Sequence, residues 1–186
     1  VQAQEAESVS LPELTGPYDV GRVRLHVIDT ARGETLTLDQ LDDVRELPVT
    51  VYYPATPAED AIPGPYIDSR LLAQFGQSEF VDLIANVGCH AHENAPADRT
   101  GSPYPVIVFI PGMGSMPYIH TALLEEIASH GYIVAAPTIT YYAELALFPD
   151  GTIIPGVFSS GDRARRFKTF EAMQTWRADA SAVLDH

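Results

Sequence analysis

Two stretches near the start of the chain alternate apolar and polar side chains with a period of two. Residues 21–28 (GRVRLHVI) form the first, and residues 47–54 (LPVTVYYP), which end in a proline, form the second. Alternation with this period places one set of side chains on a buried face of a strand. The pattern predicts two successive strands that pair antiparallel at the start of the fold.

Two later stretches, residues 106–110 (VIVFI) and 132–136 (YIVAA), are apolar without interruption. Such runs are typical of parallel strands that are covered on both faces. Between them, the apolar residues of segment 118–130 share one face of a helix: Ile119, Leu123, Leu124 and Ile127. Gly131 is a typical helix stop. This stretch predicts a strand, a crossover helix and a parallel strand.

The remaining segments are predicted from turn residues and helical spacing. Residues 1–17 are polar with two prolines and predict a flexible leader. Residues 55–104 are predicted to be a surface excursion with one or two short helices within 67–84. Residues 138–162 are predicted to be a long loop, and residues 163–185 a final helix. The length suits one domain.

Composition removes several classes of partner. The 186 residues carry a formal net charge of −14, and ten arginines accompany one lysine. We therefore expect no nucleic-acid partner, because no basic surface is available to neutralise phosphates. The single cysteine, Cys89, excludes an intrachain disulfide and a cysteine-rich zinc site and is predicted to be a buried, inert thiol.

Two features bear on where the protein resides. The apolar stretches are far shorter than the roughly 20 residues of a membrane span. The first residues, Val1-Gln2-Ala3, match the small-x-small end of a secretory signal, so we expect a secreted or periplasmic protein. An arbitrary starting point is the alternative explanation of this start.

The loop at residues 111–114 (PGMG) directly follows the predicted strand 106–110 and precedes a helix. Backbone N–H groups in such a loop can stabilise the negative charge of a tetrahedral intermediate in acyl transfer. Gly112 and Gly114 allow a sharp turn, and the N–H of Met113 can point into the cleft. Taken by itself, the G-x-G pattern is more often an ordinary turn, and that alternative stays open here.

Several segments in order along the chain resemble the platelet-activating-factor acetylhydrolase group of α/β-hydrolases, with cutinase-like polyester hydrolases as more distant relatives. The segments are residues 90–96 (HAHENAP), 104–114 (YPVIVFIPGMG), 128–136 (ASHGYIVAA) and 176–185 (WRADASAVLD). Pro111 stands where the acetylhydrolases usually have histidine, as it tends to in the polyester hydrolases. The resemblance implies an α/β fold that starts with antiparallel strands and continues with parallel strands and crossover helices. Residues 18–186 would form the N-terminal half of this single domain.

The same resemblance implies a carboxylic or phospholipid ester hydrolase that acts through a serine acyl-enzyme. Met113 would supply the oxyanion N–H, while Gly112 and Gly114 shape the loop. The family continues with a Gly-x-Ser-x-Gly elbow that carries the nucleophile, followed by the catalytic acid and the catalytic histidine. Residues 1–186 contain no such elbow. We expect these groups from the C-terminal half as a second polypeptide, and we expect this chain alone to be inactive. Small-molecule, lipid or polyester esters are the expected substrates.

The remaining histidines and serines give weaker indications of function. No cofactor and no metal are expected, although His90 and His92 form a possible metal pair if they lie on a strand; loop histidines are the preferred interpretation. Ser115 is predicted to start the helix, and His130 to satisfy its last carbonyls. The serines of segment 158–161 (FSSG) are predicted to be loop. A catalytically inactive module that binds a ligand or partner through a hydrolase-like fold is the alternative function.

Overall fold

A computed structural model describes residues 9–37, 42–157 and 169–186 of the chain. In chain order the strands are β1 Asp19–Gly33, β2 Val44–Ala55, β3 His92–Glu93, β4 Val106–Val108, β5 Ile133–Pro137, β6 Leu145–Leu147 and β7 Ile153–Pro155. The helices are α1 Ser69–Leu72, α2 Glu79–Ala85, α3 Thr121–Ser129 and α4 Thr169–Asp185. Short 3-10 turns follow α1 at Ala73–Phe75 and precede α3 at Pro117–His120.

Five strands form one mixed sheet in the order β3-β1-β2-β5-β4. The predicted first two strands are confirmed, since β1 and β2 pair antiparallel with Val23 opposite Val51. The predicted parallel unit is also confirmed, because β4 and β5 pair parallel and α3 connects them. β5 lies between β2, which it meets antiparallel, and β4. On its other side, β4 pairs with no strand among the described residues.

The side chains of β5 divide the core between the two faces of the sheet. Val134 and Ala136 pack with Leu124 and Ala128 of α3. Ala135 points to the opposite face, where its cluster includes the half-buried Ala182 and Val183 of α4. Because neighbouring residues of a strand face opposite ways, α3 and α4 cover opposite faces. The result is a three-layer arrangement of helix, sheet and helix.

The structure corrects the prediction of an unbroken loop over 138–162. Residues 145–155 form a hairpin in which β6 and β7 pair antiparallel. Its turn lies at Phe148–Gly151, where Gly151 adopts a φ of 97° and its N–H donates to the Phe148 carbonyl at 3.0 Å. Three-residue strands are too short to produce a readable alternation. The serines of segment 158–161 and the first residues of the predicted last helix, 163–168, lie outside the described residues.

The second half of the predicted leader contacts the body of the protein. The N–H of Leu11 donates to the carbonyl of Gly88 at 2.9 Å, and the N–H of Thr15 donates to the Glu126 carboxylate at 3.0 Å. The N–H of Gly16 reaches the hydroxyl of Ser129 on α3 at 3.2 Å. Residues 1–8 lie outside the described part of the chain. Among the described helices, none is long and apolar enough to cross a membrane.

Candidate functional site

The PGMG loop lies at the carboxyl end of β4 and is tied to the segment that follows β5. The N–H of Gly114 donates to the carbonyl of Tyr142 at 2.9 Å, and the N–H of Glu144 donates to the carbonyl of Gly114 at 3.2 Å. These bonds form a short parallel bridge between Gly114 and Ala143. The loop is therefore held against a neighbouring segment at the edge where the parallel strands end, which is where ligands bind in open α/β sheets.

The two glycines of the loop have different roles. Gly114 has a φ of 75°, in the left-handed region that residues with a Cβ rarely adopt. Gly112 does not have a positive φ, and its carbonyl accepts the N–H of Ser115 at 2.9 Å, which closes the turn. A Cβ at either position would meet no described atom within 4 Å. The backbone angle therefore requires glycine at Gly114 alone.

Met113 is at the open side of the loop. Its side chain is exposed to 43%, and its N–H donates to no acceptor among the described residues. The N–H of Gly112 has no acceptor there either, whereas the N–H of Gly114 is occupied by Tyr142. Of the predicted site residues, Met113 and Gly112 thus have backbone donors left for an external acceptor.

Ser115 does not act as the helix cap that the sequence predicts. The residue that caps the following 3-10 turn is Met116, without a side-chain hydrogen bond. The Ser115 hydroxyl instead lies 3.0 Å from Nε2 of His120. The His120 ring packs against Phe109 with the ring centroids 5.0 Å apart. This serine–histidine contact, which the sequence did not predict, links the loop to the start of α3.

A small cavity of about 60 Å³ lies beside the segment that follows the loop, at Met116 and Tyr118. Apolar and aromatic residues from three segments line it: Tyr66, Leu71, Met116, Tyr118, Leu145 and Leu147. Burial, with Tyr66 and Glu144 nearby, raises the pKa of Tyr118 to about 12, so this phenol stays protonated at neutral pH.

The charged side chains of this cavity are paired with one another. Arg22, which is 3% exposed, lies 2.8 Å from Glu93, and Arg24 lies 2.6 Å from Asp68. Hydrogen bonds from Arg70 and the charge of Arg24 lower the pKa of Asp68 to about 2 despite its partial burial. Each charge that lines the cavity thus has an opposite charge within 3 Å.

Of the two histidines considered as a metal pair, His90 lies in a loop as expected, whereas His92 begins β3 and pairs with Gly21. The carboxylate of Glu125, fully buried on α3, accepts the N–H of Ala91 at 2.9 Å and that of His90 at 3.2 Å. Nε2 of His90 lies 2.9 Å from the carbonyl of Pro12. No group of three or more metal-ligating side chains occurs among the described residues.

Comparison with known proteins gives the family. The family model described as platelet-activating factor acetylhydrolase, isoform II, matches residues 3–139. The chain belongs to this family. It is 33% identical to the platelet-activating factor acetylhydrolase of Gallus gallus over 128 residues, which are 68% of this chain and 29% of that protein. It is 32% identical to the platelet-activating factor acetylhydrolase of Cavia porcellus over 132 residues, 68% of this chain and 28% of that protein.

A solved structure extends the similarity beyond the acetylhydrolase family model. The ferulic acid esterase from Streptomyces cinnamoneus superposes with a TM-score of 0.81 at 29% identity. The match covers 96% of this chain and 49% of that esterase. The expected α/β-hydrolase architecture is thereby confirmed. This acetylhydrolase-family chain spans less than a third of the two curated relatives and about half of the solved esterase.

Proposed function

We propose that the protein is a serine ester hydrolase in which this chain supplies the oxyanion-stabilising loop. The observation that carries the proposal is the N–H of Met113 near the carboxyl end of β4, which has no hydrogen-bond acceptor among the described residues. A donor of this kind is useful where negative charge develops, and Gly114 fixes the loop before substrate arrives. Donors that need no reorganisation during the reaction stabilise the transition state most.

In the proposed reaction, a serine hydroxyl attacks the ester carbonyl carbon as a histidine takes its proton. The carbonyl oxygen becomes an oxyanion and accepts the N–H of Met113. The intermediate collapses, the alcohol leaves with the proton from the histidine, and water then hydrolyses the acyl-enzyme by the same route. In this proposal the serine, the acid and the histidine come from the C-terminal half of the fold, beside the edge of β4 that pairs with no strand among the described residues.

The small cavity supports a substrate preference within this proposal. Its aromatic and aliphatic side chains, together with charges that already have ion-pair partners, favour a short, uncharged acyl group over a charged one. Proteins named platelet-activating factor acetylhydrolase and ferulic acid esterase among the relatives are consistent with an ester as substrate. We therefore propose carboxylic esters as the substrate class, with lipid or polyester esters as the natural forms. The expected export stays a prediction that fractionation of the source cells would check.

The N–H of Met113 can be tested in the complete protein with p-nitrophenyl acetate as substrate. Met113→Pro removes the donor, and loss of one oxyanion donor costs about 100-fold to 1,000-fold in kcat. Met113→Ala keeps the N–H and is expected to change kcat by less than about threefold. If folded Met113→Pro, checked by circular dichroism, retains the activity of Met113→Ala, the oxyanion assignment is wrong.

Labelling with a fluorophosphonate identifies the nucleophile in the same samples. The expected label lies on a serine outside residues 1–186, and a polypeptide of residues 1–186 alone is expected to take no label and hydrolyse no ester. Label on Ser115 would contradict the proposal and assign the nucleophile to the Ser115–His120 contact. A complete protein that neither binds the label nor hydrolyses esters would favour an inactive binding module.

A further inference from the structure

A buried cluster of charges joins α4 to the first two strands on the side of the sheet opposite α3. Arg45 of β2 is 2% exposed and Asp179 of α4 is fully buried. The guanidinium reaches the carboxylate through two bonds, Nε to Oδ1 at 3.1 Å and Nη2 to Oδ2 at 2.8 Å. Glu34 lies 2.7 Å from Nη1 of Arg45, and Arg32 lies 2.9 Å from Asp179.

The same guanidinium also holds the segment that follows β5. Nη1 of Arg45 donates to the carbonyl of Thr140 at 3.0 Å. The hydroxyl of Thr140 donates to the carbonyl of Glu46 at 2.7 Å. Thr140 is 2% exposed, so both of its polar contacts are made in a water-poor environment. Thr140 is thus fixed to β2 through both its backbone and its side chain.

From Thr140 the chain runs directly to the residue that holds the oxyanion loop. Tyr141 adopts a φ of 69°, unusual for a residue with a side chain, and its carbonyl accepts the N–H of Val157 at 2.9 Å. The carbonyl of Tyr142 then accepts the N–H of Gly114 at 2.9 Å. A conformation this strained persists only when its surroundings determine it. Arg45 contacts the residue directly before Tyr141.

We propose that Arg45, oriented by Asp179, is a positioning residue for the oxyanion loop, acting through Thr140 and Tyr142. The inference rests on the proposed function and adds to it a link between α4 and the loop. A buried ion pair is often no more stabilising than apolar side chains of similar volume. What apolar side chains cannot do is hold the carbonyl of Thr140 at a fixed position. The role of the ion pair is therefore to fix the position of the Thr140 carbonyl.

The test separates geometry from stability in the complete protein. A triple variant, Arg45→Met with Asp179→Leu and Glu34→Gln, removes the pair without leaving an unpaired buried charge, so it should stay folded. Arg45→Lys keeps the charge but loses the two-pronged geometry. The control is Arg32→Gln, which removes a contact to the same Asp179 but none to Thr140.

Two readouts are expected to move together. Hydrogen exchange at the Gly114 amide should become at least tenfold faster in the triple variant, because its acceptor at Tyr142 is no longer fixed. Small displacements of catalytic groups cost up to about 100-fold in rate, so kcat for p-nitrophenyl acetate should fall about 10-fold to 100-fold with KM within about twofold. For Arg45→Lys, the exchange rate and kcat should lie between those of the triple variant and the unmodified protein. For Arg32→Gln, both should equal those of the unmodified protein.

Three results would overturn the inference. The first is a folded triple variant with unchanged Gly114 exchange, and the second is one with kcat within twofold of the unmodified protein. The third is an Arg32→Gln variant that loses activity to the same extent. Failure of the proposed function looks different, since the unmodified protein would then show no hydrolysis at all while the Gly114 exchange still reports whether the contact path exists.

Discussion

Gly114 shows how one backbone angle decides the form of the loop. Its φ of 75° lies in the left-handed region, and in this turn its N–H donates to Tyr142 whereas that of Met113 has no acceptor among the described residues. Gly112, two residues earlier, has the same open surroundings without the positive φ. Substitutions at Gly112 and Gly114 therefore separate the effect of backbone conformation from the effect of steric contact.

Alanine at these two positions gives a stability prediction. Gly114→Ala should lower the free energy of unfolding by about 1 to 2 kcal/mol, because a Cβ is unfavourable in the left-handed region. Gly112→Ala should change it by less than about 0.5 kcal/mol, since its Cβ meets no described atom. Urea unfolding of both variants measures the difference. Equal destabilisation of the two would contradict the assigned role of the φ angle.

The sequence could predict the residues of the loop but not the contacts that hold it. Gly112, Met113 and Gly114 directly follow an apolar strand, as the proposed oxyanion loop requires, and this order is local. The carbonyl of Tyr142 and the guanidinium of Arg45 come from distant segments. Backbone carbonyls have no residue signature, and a buried arginine in a strand reads as part of a polar face. These partners depend on the tertiary fold.

At the scale of elements, length determines what periodicity can detect. β1, β2 and α3 are long enough for a repeated pattern, and the antiparallel pairing of β1 with β2 was predicted correctly. The face of the helix was predicted only in part, because Leu124 is buried and Ile127 half-buried whereas Ile119 and Leu123 are exposed. The hairpin of β6 and β7 was missed because each strand has three residues. Segment 9–17 is held by backbone hydrogen bonds, by the Thr15 hydroxyl and by the packing of Leu14 against the core, contacts that a short polar segment does not reveal.

The contact of segment 9–17 with α3 gives an element-scale prediction. A Cβ at Gly16 would lie 2.2 Å from the backbone of Ser129, so Gly16→Ala must displace the segment or α3. We expect a loss of about 1 to 3 kcal/mol in the free energy of unfolding, as for other overpacked sites. We also expect faster proteolysis within residues 9–17.

Gly88→Ala is the matched control, because its Cβ would meet Ser10 at an ordinary 3.6 Å. It should leave both the stability and the proteolysis pattern nearly unchanged. Proteolysis that proceeds at the same rate in Gly16→Ala and in the unmodified protein would show that the segment is not held through Gly16.

For the whole molecule, carboxylates with lowered pKa values make stability depend on acid pH. The pKa of Asp68 is lowered to about 2, and those of Asp29, Asp98 and Asp150 are lowered by hydrogen bonds. A carboxyl with a lower pKa in the folded state stabilises above its unfolded pKa, near 4, and loses this contribution as the pH falls toward its folded pKa. The free energy of unfolding should therefore decline between about pH 4 and pH 2.

Asp68→Asn tests one part of this decline. The variant should be less stable at pH 6 by about 1 kcal/mol, a value reduced for solvent screening of a partly exposed group, and should show a shallower loss between pH 4 and pH 2. Asparagine still caps α1, so the helix start is kept. Asp60→Asn, at an exposed site without an ion-pair partner among the described residues, is the control variant for the same change of side chain. Parallel pH profiles of Asp68→Asn and the unmodified protein would contradict the assignment.

The position of β5 between β2 and β4 has a consequence for how the protein is made. β2 pairs on one side with β1, which lies close to it in the sequence. On its other side β2 pairs with β5, where Val49 lies opposite Pro137, and β5 comes much later in the chain. Synthesis delivers the N-terminal strands first, and long-range pairing is slow to form. A nascent chain that pauses on the ribosome before Ile133 thus presents β2 to any chaperone or stray polypeptide that can offer a strand in place of β5.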